Sequence, residues 1–210
     1  MVSENLNRNS LFFDGFVTLD EQWVWLQKVA DQKFAELHPH HSANDGLFGK
    51  KYKGVYDLVA DRVRSDLVKE LNVERLERQV SELIGSRVNF NHCQLRFVEK
   101  SAKSYMPIHR DVSWYKGHLV GPLPVPYKLI VYPTGTTEAD LLKLIPKSHR
   151  MMFRNKFFDL FCNFALNGLK KPAFKDTNAL LFDTSIIHHV SRKKTEQLTA
   201  RLILTFAPVT

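Results

Sequence analysis

At 210 residues, with hydrophobic residues at 44% and charged residues at 25%, the chain suits one compact domain enclosing a core and a ligand cavity. No run of 18 or more apolar residues occurs and the start, MVSENLNRNS, is not that of a secretory signal, so neither a membrane span nor export is expected. Cys93 and Cys162 make neither a disulfide framework nor a thiolate zinc cluster, which fits a reducing cytoplasmic setting, and the net charge of +8 favours anionic ligands.

Residues 11–17, LFFDGFV, read as a short strand and turn. Asp20 can cap a helix to about Leu37, with Trp23, Leu26, Val29 and Ala30 on one face. The polar stretch HPHHSANDGLFGKKYKG follows, turning at Asn44-Asp45-Gly46. Its His38, His40 and His41 have metal-like spacing, but Pro39 and the polar neighbours point to a loop over a pocket. Two more helical regions are expected, from about Val55 to Leu71 and from about Val73 to Ile84, the second broken near Gly85.

From Val88 the pattern changes to short period-two runs separated by Pro and Gly. Candidate strands are 88–98, 104–110, 127–133, 140–146, 178–184, 186–191 and 200–207, interrupted by one amphipathic helical segment at about 153–169. The expected architecture is a single domain over 1–210, mainly β with flanking helices. Residues 1–87 give mostly helical support, and 88–208 form a double-stranded β-helix, a cupin-like jelly roll. The mouth of such a barrel can hold a metal and one small ligand.

The chemistry is concentrated in Tyr105-Met-Pro-Ile-His109-Arg-Asp111. In a strand, residues two apart point to one side, so His109 and Asp111 can offer imidazole and carboxylate to one metal. A second strand, in LLFDTSIIHHVS, can bring His188, and a one-residue shift of register would exchange it for His189. Two histidines and one carboxylate, with other positions open, suit an Fe(II) site that activates oxygen; thiolates would have pointed to zinc.

His-x-Asp alone is common by chance, and the surrounding sequence adds the weight. PIHRD at 107–111, LIPKSHR at 144–150, LLFDTSIIHHVS at 180–191 and ARLILTF at 200–206 stand in an order that resembles the Fe(II)/2-oxoglutarate dioxygenases. The likeness is greatest to the phytanoyl-CoA dioxygenase-like branch and covers roughly residues 88–208. In that family an apolar strand ending in an acidic or polar residue leads to the distal His five residues later, as Asp183 leads to His188. The family's 2-oxoglutarate arginine would be Arg201, 13 residues beyond His188, a spacing that fits His189 slightly better. Lys147 stands where the family's turn before Ser148-His149 usually has Gly, a departure that touches no ligand.

The resemblance implies an enzyme using Fe(II), 2-oxoglutarate and O₂ to hydroxylate or desaturate a C–H bond, with release of succinate and CO₂. Asp111 favours that outcome over halogenation, because related halogenases lack the carboxylate. A guanidinium such as that of Arg201 can grip a carboxylate through two parallel hydrogen bonds. Gln94 and Arg96 alternate with Leu95 and Phe97, so a polar strand face could line the cavity. Lys128 and Tyr132 occupy a strand where related enzymes place 2-oxoglutarate contacts.

Trp114 and Tyr115, just past the motif, and Arg150 are candidate substrate contacts. Between Lys143 and Lys194 there are eleven Lys or Arg and three acids, an excess equal to the net charge of the chain. That segment favours a small anionic metabolite as substrate, or serves as a solvated surface. Peptidyl (prolyl-type) or nucleic-acid hydroxylation within the same superfamily, and a cupin-like metal protein without oxygenase activity, are the alternatives. No helix-turn-helix, zinc finger or stacking motif supports nucleic-acid binding.

Overall fold

The computed structural model describes residues 12–14, 55–61, 68, 71–98, 106–115, 118–122, 124–131, 142–145, 148, 179–190 and 199–209. In chain order these form β1 (Phe12–Asp14), β2 (Val55–Asp61), α1 (Val73–Ile84), β3 (Val88–Val98), β4 (Met106–His109) and β5 (Ser113–Tyr115). Then come β6 (His118–Val120), β7 (Tyr127–Val131), β8 (Leu142–Leu144), β9 (Ala179–Asp183), β10 (His188–Val190) and β11 (Thr199–Pro208).

A six-stranded antiparallel sheet runs β1-β9-β7-β11-β3-β2, a three-stranded sheet runs β4-β10-β8, and β5 pairs with β6 as a ribbon. From β3 onward, leaving the ribbon aside, successive strands alternate between the two sheets. That alternation is the winding of a jelly roll, in which two sheets face each other across one core. Ile130, Leu142, Leu144, Leu180, Phe182 and Ile186 form this core, with Ile203 packed against it.

The core residues fix which way each strand faces. Ile130 and Ile203 are cross-strand partners, so Lys128, Arg201 and Thr205 share their side by the two-residue period. On β3 the corresponding partners are His92, Gln94 and Arg96. The large sheet thus turns a row of polar side chains toward the space between the sheets. Its other face, with Leu129, Val131, Leu181, Cys93, Leu95, Leu202 and Leu204, is also buried. Burial on both faces explains continuous apolar runs such as Leu129-Ile-Val and Leu180-Leu-Phe. A bulge at Asn91 reverses the parity of β3, since Thr205 pairs with His92 while Phe206 pairs with Phe90.

Helix α1 closes over the start of β3. Asn72 caps it by accepting from the Arg75 amide at 3.1 Å, and Gly85 ends it at φ 72°. Leu76 and Val80, four residues apart, are its buried stripe. Ser81 Oγ accepts from the Val88 amide at 3.1 Å, and Glu77 Oε1 accepts from Phe90 N–H at 2.6 Å. Among the described residues no helix is long and apolar enough to cross a membrane.

The strand expectations from 88 onward overlap β3, β4, β7, β8, β9, β10 and β11, and the helix at 73–84 has the expected span. The helix expected from about Val55 is overturned: Val55–Asp61 is an edge strand. VYDLVAD is rich in β-branched and aromatic residues, and it pairs with β3 from Val55↔Val98 to Asp61↔His92. The open edge of β3 overrides a local pattern that also fits a helix. Further along that region Val68 is helical. The expected helices at 20–37 and 153–169, the His38, His40 and His41 group, Tyr132, Arg150 and Cys162 lie outside the described residues.

Candidate metal centre

The turn after β9 organises the site. Asp183 Oδ1 accepts from both the amide and the hydroxyl of Ser185, at 2.6 and 2.5 Å, and the Ile186 amide closes the turn on Asp183 O at 3.0 Å. Thr184 donates through its amide and its hydroxyl to Pro126 O, at 3.1 and 2.8 Å. Its own carbonyl accepts the Asp111 amide at 3.1 Å. The spacing from Asp183 to His188 therefore has a physical meaning. An acidic side chain fixes a turn that receives one candidate ligand on its backbone and launches the strand bearing another.

Arg110 stitches this turn to the LIPKSH segment. Its Nη1 donates to Ser148 O at 2.7 Å and Ser185 O at 2.6 Å, both buried. Ser148 Oγ accepts from the Ile187 amide at 2.8 Å, and the Ile145 amide donates to Ile187 O at 2.9 Å. The sequence reading assigned no role to Arg110, Ser148 or Gly121. Gly121 sits at φ 123°, where an added Cβ would run into Asp111 O and lie 2.9 Å from Val112 Cα. The ribbon thus folds back against the Asp111 backbone only because this residue has no side chain.

His109 and His188 are direct cross-strand partners on β4 and β10, with ring centroids 4.1 Å apart. Asp111 was expected to share a strand with His109, but β4 ends at His109 and Asp111 lies in the bend beyond it. Its hydrogen bond to Thr184, rather than strand alternation, brings the carboxylate round. Asp111 Oδ1 lies 3.4 Å from His109 Nε2 and 3.6 Å from His188 Nε2. One ligand atom from each of the three residues lies within 4.8 Å of the others. His189 is not in that group; it pairs with Lys143, and alternation turns it to the opposite side of β10 from His188.

His188 is buried, with Nδ1 2.8 Å from Ile186 O. A carbonyl can only accept, which puts the ring proton on Nδ1 and leaves the Nε2 lone pair facing Asp111. Burial, then the neighbouring His109, push the His188 pKa down to about 4, so the ring is neutral near neutral pH. The edge of Phe182, 5.3 Å between centroids, packs on the same ring. For Asp111, burial raises the pKa, but the His109 hydrogen bond and the charge of Lys128 outweigh it, holding the carboxyl well below its usual range.

The site therefore aims two acceptor atoms, an imidazole lone pair and a carboxylate oxygen, at each other across 3.6 Å. Such a pair is unfavourable until a cation sits between them. This donor set, two imidazoles and one carboxylate without thiolate, fits a ferrous ion.

Lys128 reaches Asp111 Oδ2 at 2.6 Å, so the lysine touches the carboxylate of the candidate triad. Arg201 is buried on the cavity side of β11, and Arg96 is its partner on β3. Gln94 is half-buried opposite Ile203. His92, also half-buried, lies 3.4 Å from Thr205 Oγ1, and burial followed by the charge of Lys128 lowers its pKa. The strand alternation of β3 could have pointed to His92, two residues before Gln94. Trp114 and Tyr115 are on β5, paired with Leu119 and His118.

No protein-family model and no curated protein matches this chain. Solved structures do match. AviO1 from Streptomyces viridochromogenes Tue57 aligns with TM-score 0.74 and 14% identity over 99% of this chain and 95% of that one. The non-heme alpha ketoglutarate dependent carbocyclase SnoK from nogalamycin biosynthesis aligns at 0.71 and 11%, over 99% and 84%. EctD from S. alaskensis with bound Fe aligns at 0.66 and 16%, over 93% and 71%, and it is also solved with 2-oxoglutarate and 5-hydroxyectoine. At these identities the likeness is one of fold.

Proposed function

We propose that this protein is an Fe(II)- and 2-oxoglutarate-dependent oxygenase that hydroxylates or desaturates a C–H bond of a small anionic metabolite. The observation that carries the reading is the convergence of His109 Nε2, His188 Nε2 and Asp111 Oδ1 between the sheets of a jelly roll. When bound, iron with 2-oxoglutarate and O₂ would supply the oxidation, coupled to conversion of 2-oxoglutarate to succinate and CO₂.

The chain's own residues bind and orient. His188 is held in the ligand tautomer by Ile186 O, and Asp111 brings the negative charge that a divalent ion needs. Arg201, buried on the cavity side, would receive the far carboxylate of 2-oxoglutarate, where low water access strengthens a charge-assisted pair. Ile130, Leu180 and Phe182 form an apolar wall that would keep water from the reacting centre. The likeness to EctD, solved with 5-hydroxyectoine, favours a small substrate. The basic 143–194 segment favours an anionic one. Gln94 lines the same space, and Trp114, Tyr115 and Arg150 remain candidates for the substrate side.

The test is anaerobic titration of the protein with Fe(II) and 2-oxoglutarate, followed by admission of O₂ and assay of succinate. A visible metal-to-2-oxoglutarate absorption band and slow uncoupled succinate formation are expected, both absent in Asp111→Ala. A chain that takes up iron but gives neither signal would be a metal protein of another kind.

A further inference from the structure

The chain leaves the three-stranded sheet after β4 and enters the six-stranded sheet at β7, and this excursion is closed at its base by one residue. Thr184 O accepts the Asp111 amide at 3.1 Å, while the Thr184 amide and hydroxyl donate to Pro126 O at 3.1 and 2.8 Å. Two residues beyond Pro126, Lys128 reaches the Asp111 carboxylate at 2.6 Å. Both ends of the segment from Asp111 to Pro126 are therefore tied to a single point. Within it the β5–β6 ribbon turns the chain back, and at Gly121 the backbone meets its own start. A Cβ on Gly121 would run into Asp111 O and lie 2.9 Å from Val112 Cα and 3.2 Å from the Asp111 carbonyl carbon. All three of these nearest atoms are backbone, so no flexible side-chain end can swing aside. Arg110, just before, is anchored on two buried carbonyls, and Val112, just after, is fully buried. Asp111 between them has its N–H fixed by Thr184 and its C=O against Gly121.

The geometry points to Gly121 as a positioning residue of the candidate metal centre, which sets the direction of the Asp111 carboxylate by letting the ribbon close on the Asp111 peptide. This rests on reading His109, Asp111 and His188 as metal ligands. Strand pairing holds the two histidines, but β4 ends at His109, so Asp111 takes its direction from what its backbone touches. Ligating groups must be held within roughly 0.5 Å of their working geometry, so a small displacement of this peptide is felt at the metal. In sequence, Gly121-Pro122 is no more than a turn signal. The contact that gives it a role lies ten positions back along the chain, at Asp111.

The experiment compares Gly121→Ala with Gly85→Ala in the full chain. Gly85 also has a positive φ, 72°, but nothing lies within 4 Å of a Cβ there, and it sits at the end of α1. Both substitutions strain the backbone, and only the first presses on Asp111. The probe is Co(II), whose visible bands report the geometry of its ligands. Gly121→Ala is expected to bind Co(II) roughly 10–100-fold more weakly and to shift those bands, the usual scale for losing an outer support of a ligand. Gly85→Ala should lower the unfolding midpoint and leave affinity and bands as in the unaltered protein. A second measurement needs no substitution and holds even if Gly121→Ala does not fold. With glycine-selective nitrogen labelling, Zn(II) should shift the Gly121 amide resonance of the unaltered protein and leave that of Gly85 in place.

If Gly121→Ala binds Co(II) like the unaltered protein, with the same bands, the ribbon gives way instead of Asp111 and the positioning role is wrong. An equal loss in Gly85→Ala would overturn it too, as would a Gly121 resonance that Zn(II) leaves unmoved. None of these readouts involves 2-oxoglutarate. A protein that meets them and yet forms no succinate would therefore lose the oxygenase reading and keep this one. If the unaltered protein takes up neither Co(II) nor Zn(II), both fall together.

Discussion

The six-stranded sheet and the turns around the candidate ligands are held in place by different means. In the sheet, β11 pairs with β3 from Thr199↔Val98 to Pro208↔Val88 and with β7 from Leu202↔Val131 to Phe206↔Tyr127, and apolar side chains are buried on both faces. Stability there is spread over many equivalent contacts. Around the ligands the backbone leaves the ladder, and single groups hold it: Arg110 on two carbonyls, Ser148 on Ile187, Thr184 on Pro126 and Asp111. Damage to the first region should cost stability alone. In the second it should cost stability and the metal together.

Arg110→Met tests the second half of that contrast and has the largest expected effect. It removes two charge-assisted hydrogen bonds and leaves the carbonyls of Ser148 and Ser185 buried without their donor. The expected loss is about 3–5 kcal/mol in denaturant unfolding. Because those carbonyls belong to the turn that leads into β10 and to the segment that follows its neighbour β8, iron affinity of the folded fraction should fall as well. A variant that lost stability but kept iron affinity would show that the turns are set by the sheets alone.

Leu204→Ala is the matching break in the sheet. Leu204 is fully buried between Cys93 and Leu129 on the ladder, so the truncation should cost about 2–5 kcal/mol. Metal titration of the folded protein should be unchanged, since the residue faces away from the cavity. Weaker iron binding in this variant would mean that the two regions are coupled through the strand backbone.

The same contrast explains what could be read in the sequence. Strands in the sheet were legible because ladder pairing and two-sided burial demand apolar runs, and β7 and β9 show them plainly. His109 and Asp111 were legible by spacing, yet the reason given, shared strand direction, is not what positions Asp111. Its carboxylate is placed by Thr184, some 70 residues away in the chain, and no local pattern carries that bond. Val55–Asp61 was misread because an edge strand takes its identity from the partner it meets. The choice between His188 and His189 was open in the sequence; in the structure His188 belongs to the candidate group, and His189 pairs with Lys143 on the other side of β10. Arg110 was passed over as the spacer of His-x-Asp, although its burial makes it the residue that ties the site together.

Lys128→Met sits between the two regions, because Lys128 belongs to the sheet by backbone and to the site by its contact with Asp111. The pair is partly exposed, 29% and 17%, so screening limits its worth to about 1–2 kcal/mol of metal-free stability. Iron would take over the neutralisation of Asp111. The deficit should therefore shrink in iron-saturated protein, and by linkage iron should bind the variant more tightly. Thermal unfolding with and without Fe(II) measures both, and a deficit that iron leaves untouched would show that Lys128 does not act through Asp111.

The smallest effect is expected at Cys93, one residue from His92 and on the opposite face of the same strand. His92 faces the cavity, whereas Cys93 is buried in the apolar face, where burial pushes its thiol up to about 12 from an ordinary 9.0. In the native protein at pH 8 the thiolate is then scarce and the sulfur is shielded, so iodoacetamide should leave Cys93 unmodified while the unfolded chain reacts. Above pH 9 the unfolded chain loses that proton and the folded one keeps it until about pH 12, so this residue's contribution to stability should decline as pH rises through that window. Peptide mapping resolves Cys93 from Cys162 and reads the result directly. Native reactivity equal to that of the unfolded chain would mean that the outer face of the sheet is open, and with it would fall the premise that this sheet is buried on both sides.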